Sequence, residues 1–592
     1  MQLGVDTGGT FTDAVASDGR VAKVLSTRDD PARALTSAVG TLSAGTRPDL
    51  VAHGTTVATN ALLERRGART ALIATRGFAD VIEIARQARP SLYDPFADRA
   101  EPLVPAELRF EVDERVGADG RVLAAWDGKL PRIPAAVDAI AVCLIHAELA
   151  PEHERAVVDA LRSEGRDAVA SHEVSPEFRE YERMVTTVVN AYLGPACGPY
   201  LREIEGLARA VLVMTSAGGL VPAREAARIP AALLLSGPAG GVRAAAAVAN
   251  ACGYPDAVAF DMGGTSTDVC LVRGGVPEPA PQRVVAGFPI RLPALDIHTI
   301  GAGGGSIAQV DAGGALRVGP RSAGAAPGPA CYGLGGTEPT VTDADLVLGR
   351  IGDTTAFPGL GRLDVGAARA ALSVAGVEAT GVASVVDAAM EEAVRAVTVA
   401  RGVDPRVLAL VAFGGAGPLH ACAIADALGM AAVIVPPRAG VCSAVGLLSS
   451  PRRREVVRSL PAGGGEVALD RALEVVAREA RRLVGDAAVV ETAVDCRYVG
   501  QSHELTVQHP SDFPAEHERV NGHARPGAPV EVVAVRARAT RPAAVDVGEL
   551  PAVHRTTVRG PAVVPEADCT VWIPAGWVAE PRDLGAWVVT RS

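Results

Sequence analysis

Two octapeptides in this chain carry acids, glycines and hydroxyls at one spacing. Asp6-Thr7-Gly8-Gly9-Thr10-Phe11-Thr12-Asp13 and Asp261-Met262-Gly263-Gly264-Thr265-Ser266-Thr267-Asp268 both read D-x-G-G-T-x-T-D, and they start 255 positions apart. Adjacent glycines let backbone N–H groups close around an anionic oxygen, and threonines add hydroxyl donors. A carboxylate beside a phosphate repels it unless a cation sits between them, so the bracketing aspartates imply Mg²⁺. One copy alone fits an ordinary hairpin turn or a calcium loop equally well. Two copies point to two phosphate loops facing one ligand. Candidate phosphate contacts are therefore Asp6, Thr7, Gly8, Gly9, Thr10 and Thr12, with Gly263, Gly264, Thr265 and Thr267. Asp6 and Asp261 are the candidate metal residues, acting through water.

Each octapeptide lies between apolar runs, Leu3–Val5 and Ala14–Ala16 in one case and Val258–Phe260 and Val269–Val272 in the other. Each predicts a strand, a glycine turn and a returning strand. The duplication implies two related half-domains, a pattern that resembles the two phosphate loops of the actin-like ATPase fold. Asp30-Pro31 opens a helix with Ala32, Leu35, Ala38, Val39 and Leu42 on one face. His53-Gly54-Thr55-Thr56 leads into another helix. There, outward N–H groups and His53 would hold an anion or carbonyl oxygen, or a threonine simply caps the helix, and the residues leave both readings open. Arg76, Arg86 and Arg89 are either an oxyanion clamp or solvated surface.

Residues 100–135 are proline-rich and predict a small β insert. Ala139–Ile145 reads as a buried strand, and Pro151 begins a helix closed by Gly165. Ser175-Pro176 starts a longer helix whose stripe of Phe178, Tyr181, Met184, Val185, Val188, Val189 and Tyr192 suits a crossing between the halves. Thr187 and Asn190 are candidates for its cleft side. Strand Val211–Met214 ends in Ser216-Ala217-Gly218-Gly219. The glycines at 301–306 and 323–336 are too dense for packing alone, because each costs chain entropy, so backbone approach to a ligand is expected at Gly303 and Gly304. A helix at Ser384–Arg401 precedes strand Val407–Phe413, which meets a helix near Leu419 through Gly414-Gly415. An actin-like ATPase places its nucleoside at such a turn. After Ser450, an amphipathic helix (469–483) and short alternating strands predict a β-rich domain. The expected division is 1–174, 175–450 and 451–592.

Composition narrows the class. A chain of 592 residues has room for several domains, and 48% hydrophobic content with 4% aromatics and 64 glycines suits an α/β protein packed through small residues. A net charge of −11 argues against nucleic acid or an anionic membrane as partner. Nine cysteines with no C-x-x-C pair predict reduced thiols and a cytoplasmic location, with Cys331 structural rather than nucleophilic. The N-terminus has no basic leader, so no signal peptide is expected. Val407–Ala425 is uncharged but broken by glycines and a proline, and reads as strand, turn and helix rather than a membrane span. Lys23 and Lys129 are the only lysines and neither completes a P-loop; zinc-type spacings are also missing.

The motifs together resemble the A subunit of the hydantoinase/oxoprolinase family. They include GVDTGGTFTD (4–13), HGTTVATNALLER (53–65), RQARPSLYD (86–94), SPEFREYERMVTTVVNAYLGP (175–195) and LLSGPAGGVRAA (234–245). AFDMGGTSTDV (259–269), LDIHTIGAGGGSIA (295–308), FGGAGPLHA (413–421) and RYVGQSHEL (497–505) complete the series. His146-Ala147-Glu148-Leu149-Ala150-Pro151 departs from the family's usual H-S-[YF]-x-N-P. The resemblance implies a two-lobed actin-like (ribonuclease H-like) α/β fold binding Mg²⁺ and ATP. It implies phosphorylation of the carbonyl oxygen of a cyclic amide such as a hydantoin, 5-oxoproline or another lactam, with ring opening on a hydantoinase B-type subunit. A homodimer within a hetero-oligomer is compatible with it. Asp13, His53 and Asp268 become candidates for orienting the acceptor, and Gly414 and Gly415 for the nucleoside. The alternatives are the ATP-binding subunit of a ketone carboxylase and a non-enzymatic actin-like ATPase activator.

Overall fold

The computed structural model describes residues 1–27, 30–352, 356–357, 361–461 and 466–592. Strands β1 (Gln2–Thr7) and β2 (Phe11–Ala16) pair antiparallel with Asp6 opposite Asp13, and β3 (Val21–Leu25) continues the meander. Helix α1 (Pro31–Ser43) starts where the Asp30 carboxylate accepts the Arg33 N–H, and it buries the predicted face of Ala32, Leu35, Ala38, Val39 and Leu42. β4 (Leu50–Thr55), leading to α2 (Val57–Leu63), runs parallel to β1, and β5 (Ala210–Met214) runs parallel to β4. The order is β3-β2-β1-β4-β5.

Helix α3 (Glu180–Ile204) starts later than Ser175-Pro176 predicts. Arg179 adopts φ +83°, and Phe178 is drawn out of helical register among the guanidinium groups of Arg179, Arg291 and Arg497, 5.2, 5.4 and 5.8 Å from its ring. Thr187 and Asn190 do not reach a cleft. Both are buried, Thr187 giving its hydroxyl to Arg183 O and Asn190 binding Arg228 O and Ala231 N–H.

The second half repeats the plan after α4 (Gly237–Ala251). β6 (Ala257–Met262) and β7 (Thr267–Arg273) pair antiparallel with Asp261 opposite Asp268, and β8 (Ile297–Ile300) lies along β7. After α5 (Ala379–Val397), β9 (Ala409–Phe413) runs parallel to β6; α6 (Gly417–Leu428) returns the chain to β10 (Ala432–Val435), parallel to β9. Val407–Ala425 is thus strand, turn and helix, as its sequence predicts. Strand order and direction match the first half, so the two hairpins occupy equivalent places in their sheets.

Helix α7 (Cys442–Leu448) crosses α4 and lies on β1. The crossing needs glycine: a Cβ on Gly446 would stand 1.8 Å from Gly240 O, and one on Gly4 2.1 Å from Ala444 O. One apolar core is built mainly from residues 3–234 with Val285, Phe288 and Ile290, a second mainly from residues 239–589, and a third from residues 476–539. Most strands after residue 450 join the two large sheets, while Ala562–Pro565 and Thr570–Ile573 pair only with each other. Arg452–Ser459, Val489–Tyr498, Leu505–Val507 and Val530–Arg541 extend the first, and Trp587–Arg591, Trp577–Pro581 and Val558–Arg559 extend the second. Among the described residues no single helix is long and apolar enough to cross a membrane.

Candidate active site

The two hairpin tips face one another: a Cβ on Gly264 would stand 3.4 Å from Thr10 Oγ1. In each turn the first glycine donates back across the hairpin, Gly8 N–H to Phe11 O at 3.0 Å and Gly263 N–H to Ser266 O at 3.1 Å. Among the described residues, no acceptor takes the N–H groups of Gly9, Thr10, Gly264 or Thr265, and Gly9, Gly264 and Thr265 are exposed. Unclaimed donors on opposed tips are what an anionic oxygen requires. The paired threonines are differently used. Thr12 shares a 3.0 Å hydrogen bond with Ser26, whose hydroxyl also donates to Gly8 O, and Thr267 donates to Ala302 O. Both are buried and brace the turns.

At the root of the hairpins lie four carboxylates. Asp6 rests over Gly54 and near Gly237, where a Cβ would stand 2.6 and 3.8 Å from Asp6 Oδ1. That oxygen is buried with no hydrogen-bond partner, as is Thr7 Oγ1. Asp261 lies over Gly414 in the same way, at 2.4 Å from a Cβ there, and accepts from Ser443 Oγ at 3.3 Å. Asp13 accepts from Lys23 Nζ at 2.7 Å, and Asp268 from Thr299 Oγ1 at 2.5 Å.

Burial, then repulsion from Asp13, Asp261 and Asp268, pushes the Asp6 carboxyl well above the usual carboxylate range. Burial and Asp268 push Asp261 up to about 7, burial pushes Asp268 up to about 6 against its Thr299 hydrogen bond, and burial raises Asp13 against the pull of Lys23. Four acids sharing one lysine leave uncompensated negative charge, and Asp6 leaves an orphaned oxygen. Both suit a hard divalent cation with oxygen ligands. The four do not converge on one point. Among the described residues the one trio near enough to share an ion is Glu566, Asp568 and Cys569, far along the chain. Contact through water is the geometry these aspartates fit.

Several expected site residues prove structural. His53 is fully buried; its Nδ1–H donates to Val5 O at 3.0 Å and its Nε2 accepts from Tyr200 at 2.5 Å. Burial drives its pKa down to about 4, so it is a neutral core group that cannot reach an acceptor in the cleft. Thr55 accepts the Val57 N–H, which favours the capping reading of that segment. Gly303 and Gly304 spend their N–H groups inside the protein, on Ser306 Oγ and Gly263 O, and a Cβ on Gly303 would stand 2.7 Å from Gly263 O. They brace the second hairpin and offer no free cradle. Gly414, at φ +80°, is fixed by its approach to Asp261, while Gly415 is exposed with open space beside it at the start of α6. The Arg86 fork is taken by Glu182, at 2.9 and 2.5 Å. Cys331 is buried with its thiol pKa raised, as a structural thiol would be.

Sequence reading missed Lys23, the one cation beside the four acids among the described residues. Its signal was its rarity and its place on β3 opposite Asp13.

Comparison with known proteins gives one consistent match. The model of the hydantoinase/oxoprolinase N-terminal region matches residues 2–165, and that of hydantoinase/oxoprolinase matches residues 183–456. An uncharacterised protein of Methanocaldococcus jannaschii is 35% identical over 86% of this chain and 82% of its own length. Caprolactamase subunit alpha of Pseudomonas jessenii is 32% identical over 97% of both chains. The crystal structure of the ATP-dependent caprolactamase from that organism superposes with a TM-score of 0.84 at 29% identity, covering 100% of both chains.

Proposed function

This chain belongs to the hydantoinase/oxoprolinase family, and from that premise we propose that it activates the carbonyl oxygen of a cyclic amide by phosphoryl transfer from Mg-ATP. The observation that carries the reading is the pair of opposed hairpins in one register, with free N–H groups at their tips and the orphaned Asp6 at their root. Equal strand order on both sides supports an actin-like pair of lobes, with the nucleotide in the cleft between them. For the domains we keep 1–174, 175–450 and 451–592: a separate apolar core of residues 476–539 supports the third, although strands of that region extend both large sheets.

Bound Mg-ATP supplies the phosphoryl group that turns a poor leaving oxygen into a good one. The chain's own residues hold and screen that group. Gly9, Thr10, Gly264 and Thr265 would give N–H donors to phosphate oxygens, Asp6 and Asp261 would hold the metal through water, and Gly415 would leave room for the nucleoside. Lys23 partly offsets the effect of burial on Asp13, and Asp13 and Asp268 would orient the acceptor from opposite lobes. Catalysis by such a site is mostly placement and charge neutralisation.

Among the described residues no activated nucleophile stands beside the hairpins: the buried cysteines carry raised pKa values and His53 is spent in the core. By analogy with relatives that are subunits of larger enzymes, such as caprolactamase subunit alpha, ring opening is assigned to a B-type partner subunit, which would also keep the phosphorylated substrate from water. The test is ATP turnover against hydantoins, lactams and ketones, with the chain alone and with its partner. Amide-dependent ADP formation with product release only in the pair is expected. Turnover stimulated by a ketone and bicarbonate instead would move the chain to the carboxylase branch, and substrate-independent ATPase activity would make it a switch.

A further inference from the structure

We propose that Arg243, Arg283 and Arg453, gathered around the loop Ser216-Ala217-Gly218-Gly219, form a second oxyanion site for the carboxylate or phosphate group of a small molecule. Its use as a substrate subsite rests on the function proposed above; its existence as an anion site does not.

The loop follows β5, two strands along the sheet from β1, and so opens on the same edge as the first hairpin. Three arginine side chains pack against it from separate elements, and Arg243 and Arg453 lie close enough for their charges to repel. Arg243 comes from α4, its stem against Gly218, where a Cβ would stand 3.4 Å from Arg243 Cδ. Arg453 comes from the strand Arg452–Ser459, its stem against Gly219, 2.4 Å from a Cβ there. Arg283 gives one nitrogen to both Ser216 Oγ and Leu234 O. Glycines at 218 and 219 are what let the two stems approach.

These cations are poorly compensated. Among the described residues no carboxylate lies within ion-pair distance of Arg243 or Arg283, and Arg453 reaches only Glu455, at 3.8 Å. Other buried arginines are closely paired, such as Arg291 with Glu177 and Glu504, both at 2.9 Å. The Nε atoms of Arg243 and Arg453 are buried without partners, as is that of Arg291, so what sets the first two apart is the want of a close carboxylate. Desolvation lowers the pKa of all three, with Arg283 down to about 9 and Arg453 to about 10. Holding unpaired guanidinium groups this way costs stability unless an anion completes them.

The site also lies within reach of the hairpins. Arg283 holds Leu234, and Gly237, three residues on, lies beside Asp6. Three residues span at most about 11 Å. A small molecule with its reacting carbonyl at the hairpins and an anionic group at the arginines fits that separation.

The experiment is calorimetry on the full chain saturated with Mg²⁺ and a non-hydrolysable ATP analogue, so that the hairpins are filled. Glutarate and inorganic phosphate are the probes, and the one that binds identifies the anion's source. Binding of either, weakened at least tenfold in Arg243→Gln and Arg283→Gln and partly restored in Arg283→Lys, is the expected result. The affinity for the nucleotide analogue should not change. Failure of both probes to bind wild type, or unchanged probe affinity in the variants, overturns the site; so does loss of analogue affinity in parallel with probe affinity. Should the variants not fold, phenylglyoxal labelling of wild type, read by peptide mass spectrometry, replaces them. Protection of Arg243 and Arg283 by the probe supports the site, and equal labelling with and without it overturns it. Probe binding by a chain that binds no nucleotide would sink the proposed function and leave the anion site standing.

Discussion

In the first hairpin Asp13 faces Asp6 across the ladder and takes the Lys23 ammonium; in the second, Asp268 stands in the same place and takes only the Thr299 hydroxyl. The support behind the turns differs as well. Ser26 braces the first through its side chain, whereas Gly304 and Gly305 brace the second through backbone N–H groups given to Gly263 O and Gly264 O. Beneath them, Val5 and His53 are register partners in one sheet, and Phe260 and Ala412 hold that position in the other. What faces the cleft is repeated, and what holds it from behind is not. Selection on a shared ligand would keep the first set alike while each half found its own packing.

The sharpest way to break this equivalence is to remove one carboxylate at a time. Asp6→Ala and Asp261→Ala should each abolish the gain in ATP affinity that Mg²⁺ provides, a loss of about 100-fold, since each deletes a charge facing the metal's water shell. Calorimetry with Mg²⁺ and with EDTA measures it. A large loss in Asp6→Ala beside wild-type behaviour in Asp261→Ala would make the second hairpin a phosphate loop without a metal role.

A second effect, in stability, follows from the same four acids. Carboxyls whose folded pKa is raised contribute stability that is fully present below their unfolded values and lost as pH rises through the folded ones. For Asp268 and Asp261 the folded values are about 6 and about 7. In EDTA the melting temperature should therefore fall between about pH 4 and pH 7, and Mg²⁺ should change that slope. Burial pulls His420 down, but Asp345 and Asp387 outweigh it and hold it at about 9, so it adds loss of the same sign at higher pH without any response to Mg²⁺. Lys23→Met should lower metal-free stability at pH 8 by about 1–2 kcal/mol, a partly exposed pair being worth less than a buried one. Thr299→Val should cost about 1 kcal/mol or less, the usual worth of one hydrogen bond. Equal effects of the two variants would erase the asymmetry described above.

How much of this was readable in advance depended on distance along the chain. The hairpins, the α1 cap and the turn at Gly414 are local patterns, and duplication made the first of these specific. Gly303 and Gly304 misled because glycine density signals close backbone approach without saying to what. Their partner is the second hairpin, some forty residues earlier, by the register of the folded chain. The start of α3 depended on Arg291 and Arg497, which hold Phe178 from far along the sequence. The strands after residue 450 alternate as any β domain would, and nothing in that alternation tells a separate sheet from the edge of an existing one. The Ser216–Gly219 loop was visible, but not the arginines that surround it.

His53 carries the smallest expected effect on activity and the most instructive one. Its motif, histidine followed by Gly-Thr-Thr at a helix start, reads equally well as a catalytic group or as packing, because sequence cannot place Tyr200, 147 residues away, against its ring. In the fold the ring is closed off by Val5 O on one side and the tyrosine hydroxyl on the other, and the second half fills the equivalent space with apolar side chains. Tyr200→Phe leaves the buried Nε2 of His53 without its donor, which should cost roughly 1–3 kcal/mol. The KM for ATP and the turnover rate should stay within about twofold of wild type at a temperature where the variant is folded, a difference of roughly 0.4 kcal/mol. The pKa of about 4 adds a second signature. A histidine held neutral contributes stability above its unfolded value near 6.5 that is lost as pH falls toward 4, so His53→Gln should flatten the acid limb of the stability curve and leave the rate profile above pH 6.5 unmoved. Should Tyr200→Phe instead lower turnover by orders of magnitude at undiminished stability, His53 would belong to the chemistry, and the two halves would differ in the reaction as well as in their support.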